Sequence, residues 1–274
     1  MRAKKTIAGV ACAVILAVSV AYAQRGGVYT RYYGVTEASP ETYDGAFHFC
    51  RAMFRGIQGG DGGGWLTDFP DADHNLSIRL SELTKTPVSM NPRTGQPNFL
   101  AVRLTSPELY RCPFIMMFEV GNSYFDEEEA AALRAYLLKG GFLWVDDFWG
   151  TRAWSIWESQ IRKVFPAGSY PIVDLPLDHP IFSQFRKVSR IPQIPSIDYW
   201  LGSGGDTSER GPDSRPPHIR AINDDRGRVM VLMSHNTDFG DSYEREAVNH
   251  QYFLTFSVEG YAFGINALVY AMSH

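Results

Sequence analysis

Cysteine is scarce in this chain: of 274 residues only Cys12, Cys50 and Cys112 are cysteines, too few for a disulfide framework. Cys50 stands in the apolar stretch "FHFCRAMF" and Cys112 just before "PFIMMFE", so both read as small buried apolar side chains. An oxidising compartment leaves their pairing open. A surplus of positive charge is also missing, with 26 Lys+Arg against 30 Asp+Glu and no basic patch, which speaks against nucleic acid as a partner. No G-x-S-x-G elbow is present. The glycine-rich "GGDGGGW" lacks the Gly-Lys-Ser/Thr ending of a phosphate loop and the strand that precedes a dinucleotide fingerprint, so it reads as a flexible loop, a candidate lid. No internal repeat or charge block stands out.

Long apolar runs are confined to the first residues, "MRAKKTIAGVACAVILAVSVAYAQ". Arg2, Lys4 and Lys5 precede an apolar core from Ile7 to Val20, and small residues at Ala21 and Ala23 close it, the pattern of a cleaved secretory leader over 1–23. The core is shorter than the 18 to 20 residues of a membrane-spanning helix, so no permanent membrane anchor is expected. Cleavage at Cys12 would leave most of the apolar core attached, which argues against a lipid anchor there. The mature chain of 251 residues then carries 23 Lys+Arg and 30 Asp+Glu, a net charge of −7, and is expected in the periplasm or outside the cell.

What the chain does contain is alternation of apolar strands and amphipathic helices. Ala72, Leu76, Leu80 and Leu83 draw one stripe along a helix. "PFIMMFE" (113–118 and the residue beyond) reads as a buried strand, and "DEEEAAALRAYLLKGG" as a helix over 126–139. Asp126 and Glu129 form its capping box, and Gly140-Gly141 its stop. "FLWVDD" follows as a second buried strand from 142. "WSIWESQIRKVF" places Trp154, Trp157, Ile161 and Val164 on one helical face, and "PIVDL" reads as a short strand. The segments "HIRAI" and "VMVLMSHN" read as two strands joined by a turn at Asp224, Asp225 and Gly227. "IPSIDYWLGSGGDTSERGPDSRPP" reads as a long surface loop, and "YAFGINALVYAMSH" as a closing apolar helix. The pattern predicts an α/β fold: a doubly wound, mostly parallel sheet with helices on both faces, in a single domain over 43–274 after an extension at 24–42.

In such sheets ligands bind outside the carboxyl ends of the strands. Three strands end in polar residues: Glu119 and Asn122, then Asp146 and Asp147, then His235, Asn236 and Asp238. These seven are the candidate ligand-binding residues. Adjacent strand residues face opposite ways, so one of Asp146 and Asp147 is expected to face the crevice and the other to cap the next helix. Clustered carboxylates should raise one another's pKa and push a nearby His toward its charged form. In "DFPDADH", Asp68, Asp71, Asp73 and His74 offer ligands for a hard cation, but no calcium-loop spacing appears, and a helix N-cap at Asp71 or Asp73 is the preferred reading. No metal ligand set is therefore assigned, and no cofactor is implied. His179 in "LDHPIF" reads as a turn residue.

The segments "FHFCRAMF", "WLTDFPDADHNL", "CPFIMMFEVG", "DEEEAAALRAYLLKGGFLWVDDFWG", "LDHPIF", "GRVMVLMSHNTDFGDSYE" and "FGINALVYAMSH", in this order from about residue 43 to the C-terminus, resemble the bacterial domain of unknown function 4159. That family is similar to the class I glutamine-amidotransferase-like fold and to trehalose-utilisation (ThuA-like) proteins, through "LRAYLLKGGFL" and "DHPI". The resemblance implies a flavodoxin-like sandwich and no activity. A glutamine amidotransferase needs a Cys on a strand-to-helix elbow, and neither Cys50 nor Cys112 follows a strand. This speaks against glutaminase chemistry, and the missing G-x-S-x-G against serine-hydrolase chemistry. Two functions remain. One is non-catalytic binding of a small polar ligand, a glycan or an envelope protein, for which Trp65, Phe148, Trp149, Trp200 and Tyr243 offer stacking surfaces or plain core packing. The other is a carboxylate/His hydrolase, with or without a metal, using Asp146 or Asp147 as base and His235 as orienter or ligand.

Overall fold

A computed structural model describes residues 35–274; the expected leader, 1–23, and the first part of the expected extension lie outside them. Residues Ala38–His274 form one compact unit. Its seven-stranded sheet runs in the order β3-β1-β4-β6-β9-β8-β7. The strands are β1 Phe49–Met53, β3 Phe99–Arg103, β4 Phe114–Phe118, β6 Phe142–Phe148, β7 Val173–Asp174, β8 His218–Asn223 and β9 Val229–His235. β3, β1, β4, β6 and β9 are parallel, and β8 and β7 extend one edge antiparallel. Counted along the chain, the parallel strands lie 2-1-3-4-5, the flavodoxin-like order, and the winding reverses between β1 and β4. A small antiparallel pair, β2 Arg55–Gly56 with β5 Ser123–Tyr124, ties together the segments that leave β1 and β4.

Strand periodicity sorts the core into two layers. Phe114, Met116 and Phe118 of β4 pack with helix α1 (Asp71–Thr84), α5 (Phe239–Glu244) and the C-terminal α6 (Val258–Ser273). Ile115 and Met117 face α2 (Glu127–Leu138) and α3 (Gly150–Val164) on the other side. Ala72, Leu76 and Leu80 are buried as the stripe requires, and Leu83, its last member, is exposed. α2 joins the parallel neighbours β4 and β6. Its capping box is formed: Asp126 accepts from the Glu129 amide and Glu129 from the Asp126 amide. Gly140 at φ +108° and the Gly141 amide, which donates to the Tyr136 carbonyl, end it.

Two sequence expectations need correction, the α1 cap and the surface loop, and two points left open are settled. α1 has no side-chain cap. Pro70 sits at the cap position, and Asp73 is instead fully buried in a two-pronged ion pair with Arg51 (2.5 and 3.1 Å). Cys50 and Cys112 are buried but not free; they form a disulfide. The supposed surface loop contains a short helix, α4 (Ile197–Gly202), a 3-10 turn at Gly211–Ser214, and the buried Ile197, Ser208 and Ser214. The apolar stretch around Cys50, given no element by its sequence pattern, is β1, an interior strand of the sheet. Among the described residues no helix is long and apolar enough to cross a membrane.

Candidate functional site

At the carboxyl ends of β4, β6 and β9, beside the reversal in winding, lies a crevice of about 360 Å³. Eight carboxylates line it: Asp61, Asp68, Glu119, Asp147, Glu209, Asp238, Asp241 and Glu244. Two arginines answer them, and each is engaged locally, Arg210 with Asp61 at 2.9 Å and Arg245 with Glu244 at 2.7 Å. The surplus of negative charge is the crevice's main chemical property.

Each strand end delivers its residue through a sharp backbone turn. Among the described residues only five non-glycine positions have positive φ, and four are here or beside it: Asp68 (62°), Glu119 (49°), Asp147 (55°) and Asn236 (63°). Left-handed backbone is uncommon for side-chain-bearing residues and is tolerated where surrounding contacts fix it. Glu119 Oε2 accepts from the Gly64 amide (2.6 Å) and Thr67 Oγ1 (2.5 Å), which pins the glycine loop over β4. Asn122 donates to the Gly62 carbonyl (2.8 Å) and holds the same loop. The register of β6 against β9 shifts between Val145 and Phe148, which separates the two neighbouring aspartates. Asp147 lines the crevice and accepts from Trp149 Nε1 (2.8 Å). Asp146 is fully buried below, where it accepts from Ser234 Oγ (2.5 Å) and the Gly240 amide (3.0 Å). One aspartate thus faces the crevice, but the other does not cap the next helix: α3 has no side-chain cap, and Asp146 is turned to Ser234 and Gly240 instead. Asp238 both lines the crevice and caps α5, accepting from the Asp241 amide (2.8 Å).

Asp68 is carried by the loop between β2 and α1. Arg51, buried in the middle of β1, donates to the carbonyls of Trp65 (2.7 Å) and Thr67 (2.6 Å) and so fixes the residues just before it. Asp68 Oδ2 is buried and has no hydrogen-bond partner. Burial pushes the Asp68 carboxyl well above its ordinary pKa, and the Asp241 and Glu244 charges add to the effect. Burial likewise raises Asp147, helped by Glu119 and Asp68, and Asp238, helped by Asp147 and Asp68. Asp241 is raised to about 7 by burial and by Glu244, and Asp146 to about 7 by burial, against the pull of Ser234 and Gly240.

His235 is not part of this cluster. It opens on a second cavity of about 330 Å³ with Trp154, Asp213, His218 and Arg220. Its Nε2 donates to the Gly150 carbonyl (3.1 Å) and its Nδ1 accepts from Arg220 Nη1 (3.2 Å), an arrangement that requires the neutral ring. Burial lowers its pKa to about 4, and the Arg220 charge assists. The expectation of a charged histidine among the carboxylates is therefore corrected: desolvation outweighs the distant acids, and a cation stands closer. Asn236 also lies outside the crevice, accepting from the Gly150 amide and donating to the Pro216 carbonyl. Of the seven candidates, Glu119, Asp147 and Asp238 line the crevice; Asn122, Asp146, His235 and Asn236 do not. Of the aromatics, Phe148 and Trp149 reach its wall, whereas Tyr243 is fully buried and Trp200 packs on Tyr252 and Phe256.

Sequence reasoning missed Asp61, Glu209, Asp241 and Glu244 and set Asp68 aside. A signal for two of them was present in "DFGDSYE": Asp238, Asp241 and Glu244 recur every third residue, which puts them on one side of α5. A family model described as a domain of unknown function (DUF4159) matches residues 54–272. None of the curated proteins compared with the chain matches it.

Proposed function

Because the chain belongs to the DUF4159 family, whose description assigns no activity, we propose its function from the crevice itself: an exported binding domain that takes a small polar ligand carrying positive charge. The observation that carries this reading is the imbalance of eight lining carboxylates against two arginines already paired with two of them. Such a wall repels anions, and a neutral sugar that hydrogen-bonds to the carboxylates leaves their mutual repulsion unrelieved. A cation both attracts the carboxylates and relieves their mutual repulsion, so binding should release the protons that burial retains on them. The cavity volume suits a small ligand.

Export is supported by the leader pattern at 1–23 and by the Cys50–Cys112 disulfide, a bond that persists in oxidising compartments. The mature chain then starts at Gln24, with the domain beginning near residue 43. The proposed kinship with glutamine-amidotransferase-like and ThuA-like proteins rests on "LRAYLLKGGFL", which spans the α2–β6 junction, and on "DHPI". The hydrolase alternative is weakened by the position of His235, whose two ring nitrogens are both committed away from the aspartates.

Thermal-shift titration tests the reading, since a ligand of the native state raises the melting temperature. Spermidine and amino-sugar oligomers are expected to stabilise the protein, less so as ionic strength rises. Phosphate, sulfate and neutral glycans are expected to have no effect. Stabilisation by an anion or a neutral sugar and by no cation would overturn the proposal.

A further inference from the structure

We infer that the crevice binds a hard divalent cation, ligated by Asp68, Asp147 and Asp238. The inference rests on the cationic reading of the same crevice and narrows it to a chemical class. One carboxylate oxygen from each of the three residues lies within 4.8 Å of the others. Two ligands of one ion are separated by at most about twice the ion–oxygen distance, itself about 2.0–2.6 Å for magnesium and calcium, so the three oxygens can close on one ion.

A cluster of acids is not in itself a site, but here an independent observation points to a ligand. Asp68 Oδ2 is buried without a hydrogen-bond partner on a side chain only 9% exposed, and that residue lines the crevice. A buried carboxylate oxygen left unpaired is costly in any protein. The surrounding chain nonetheless makes room for it. Gly240 faces it, and a Cβ at that position would stand 2.0 Å from Oδ2, so a glycine keeps open the space that the carboxylate occupies. The Gly240 amide does not satisfy it, because that donor is given to Asp146. Arg51 does not satisfy it either; its guanidinium is spent on Asp73 and on two carbonyls.

The ligand set also defines the ion. Three carboxylates with no imidazole or thiolate favour magnesium, calcium or manganese over zinc or copper. A second triad, Asp68 with Asp241 and Glu244, has oxygens equally close. It is the poorer site, because the Arg245 guanidinium is ion-paired with Glu244 at 2.7 Å and lies 3.8 Å from Asp241, so a cation already answers two of its three acids. Asp147 and Asp238 each give one oxygen to a neutral donor, Trp149 Nε1 and the Asp241 amide, which orients the carboxylate without cancelling its charge.

The experiment strips the purified protein with EDTA and follows its melting temperature and titration calorimetry against Mg²⁺, Ca²⁺, Mn²⁺ and Zn²⁺, with spermidine as an organic cation. At least one hard ion is expected to bind one per chain and raise the melting temperature. Asp68→Asn should weaken that binding by about 100-fold or more, whereas Asp71→Asn, exposed on α1, should leave it unchanged. Asp68→Asn removes a charge from a crowded cluster and should fold, which its own melting curve checks; Asp147→Asn reads the same loss independently. The inference is overturned if no hard ion binds, if Zn²⁺ alone binds, or if both variants keep the parent affinity. Spermidine binding without any hard ion would remove the metal and leave the cationic crevice standing, whereas failure of every cation would remove both.

Discussion

Burial acts in opposite directions on the two kinds of titratable side chain near the strand ends, raising the aspartates and lowering His235. For the histidine the linkage is direct. The unfolded side chain titrates near 6.5 and the folded one near 4, so between these values the unfolded chain holds a proton that the native state refuses. The stability His235 contributes is present above pH 6.5 and is lost as pH falls toward 4, by up to about 3 kcal/mol. Arg220, His218 and Asp213 face the ring, and Asp174 pairs with the first two. Subtracting the unfolding free energy of His235→Gln from that of the parent cancels the carboxylates, whose contributions run the other way. The difference should favour the parent at pH 8 and shrink steadily below pH 6.5; a gap that ignores pH would count against the assignment. At this scale Glu119, Asp147 and Asp238 were legible because the strand-end rule needs only local sequence. Asp68 was not, since its place depends on Arg51 and on Gly240, residues far from it in the chain. His235 misled because its neighbour Ser234 takes the face toward Asp146, and alternation then sends the imidazole to the other side of the sheet.

Among the elements, β4, α2, β6 and β9 were readable from continuous apolar runs and from a capping box, signals that involve neighbours only. β1 carries Arg51 in the middle of its apolar run, and what makes that residue acceptable in the core is Asp73 on α1, a pairing no local window contains. α4 hides in a segment rich in Gly, Pro and Ser: Ser196 caps it locally, but the Ile197 amide donates to Asp241, a partner no local window contains. The contact between the start of α5 and the loop bearing Asp68 is equally non-local. Gly240→Ala would set a methyl 2.0 Å from Asp68 Oδ2 and 2.6 Å from the Phe118 ring. Urea unfolding is expected to show a loss of about 1–3 kcal/mol. Gly202→Ala, where an added carbon meets nothing within 4 Å, should be neutral or gain up to about 1 kcal/mol from helix propensity.

For the molecule as a whole, alternating strands and helices were enough to give the α/β class and the mostly parallel sheet, because helices on both faces force each strand to be apolar throughout. The strand order and the crevice beside its reversal needed coordinates. The disulfide closes a span of 62 residues, from β1 to the segment before β4, and in the chain-entropy account a loop of that length is worth about 4 kcal/mol. The double variant Cys50→Ala, Cys112→Ala should lose stability of that order in chemical denaturation, and the parent should lose the same amount when unfolded in a reducing agent. A variant as stable as the parent would mean that native-state strain cancels the constraint.

The same bond changes what a break in the backbone means. Everything from Arg51 to Arg111, including the glycine run at 59–64, Asp68 and Asp73, belongs to a covalent ring. A protease that cuts the exposed part of that run opens the ring without dividing the molecule. The nicked chain keeps its full mass on a gel run without thiol and separates into two pieces with it. Damage at the rim of the crevice would thus leave both of its walls attached to one another.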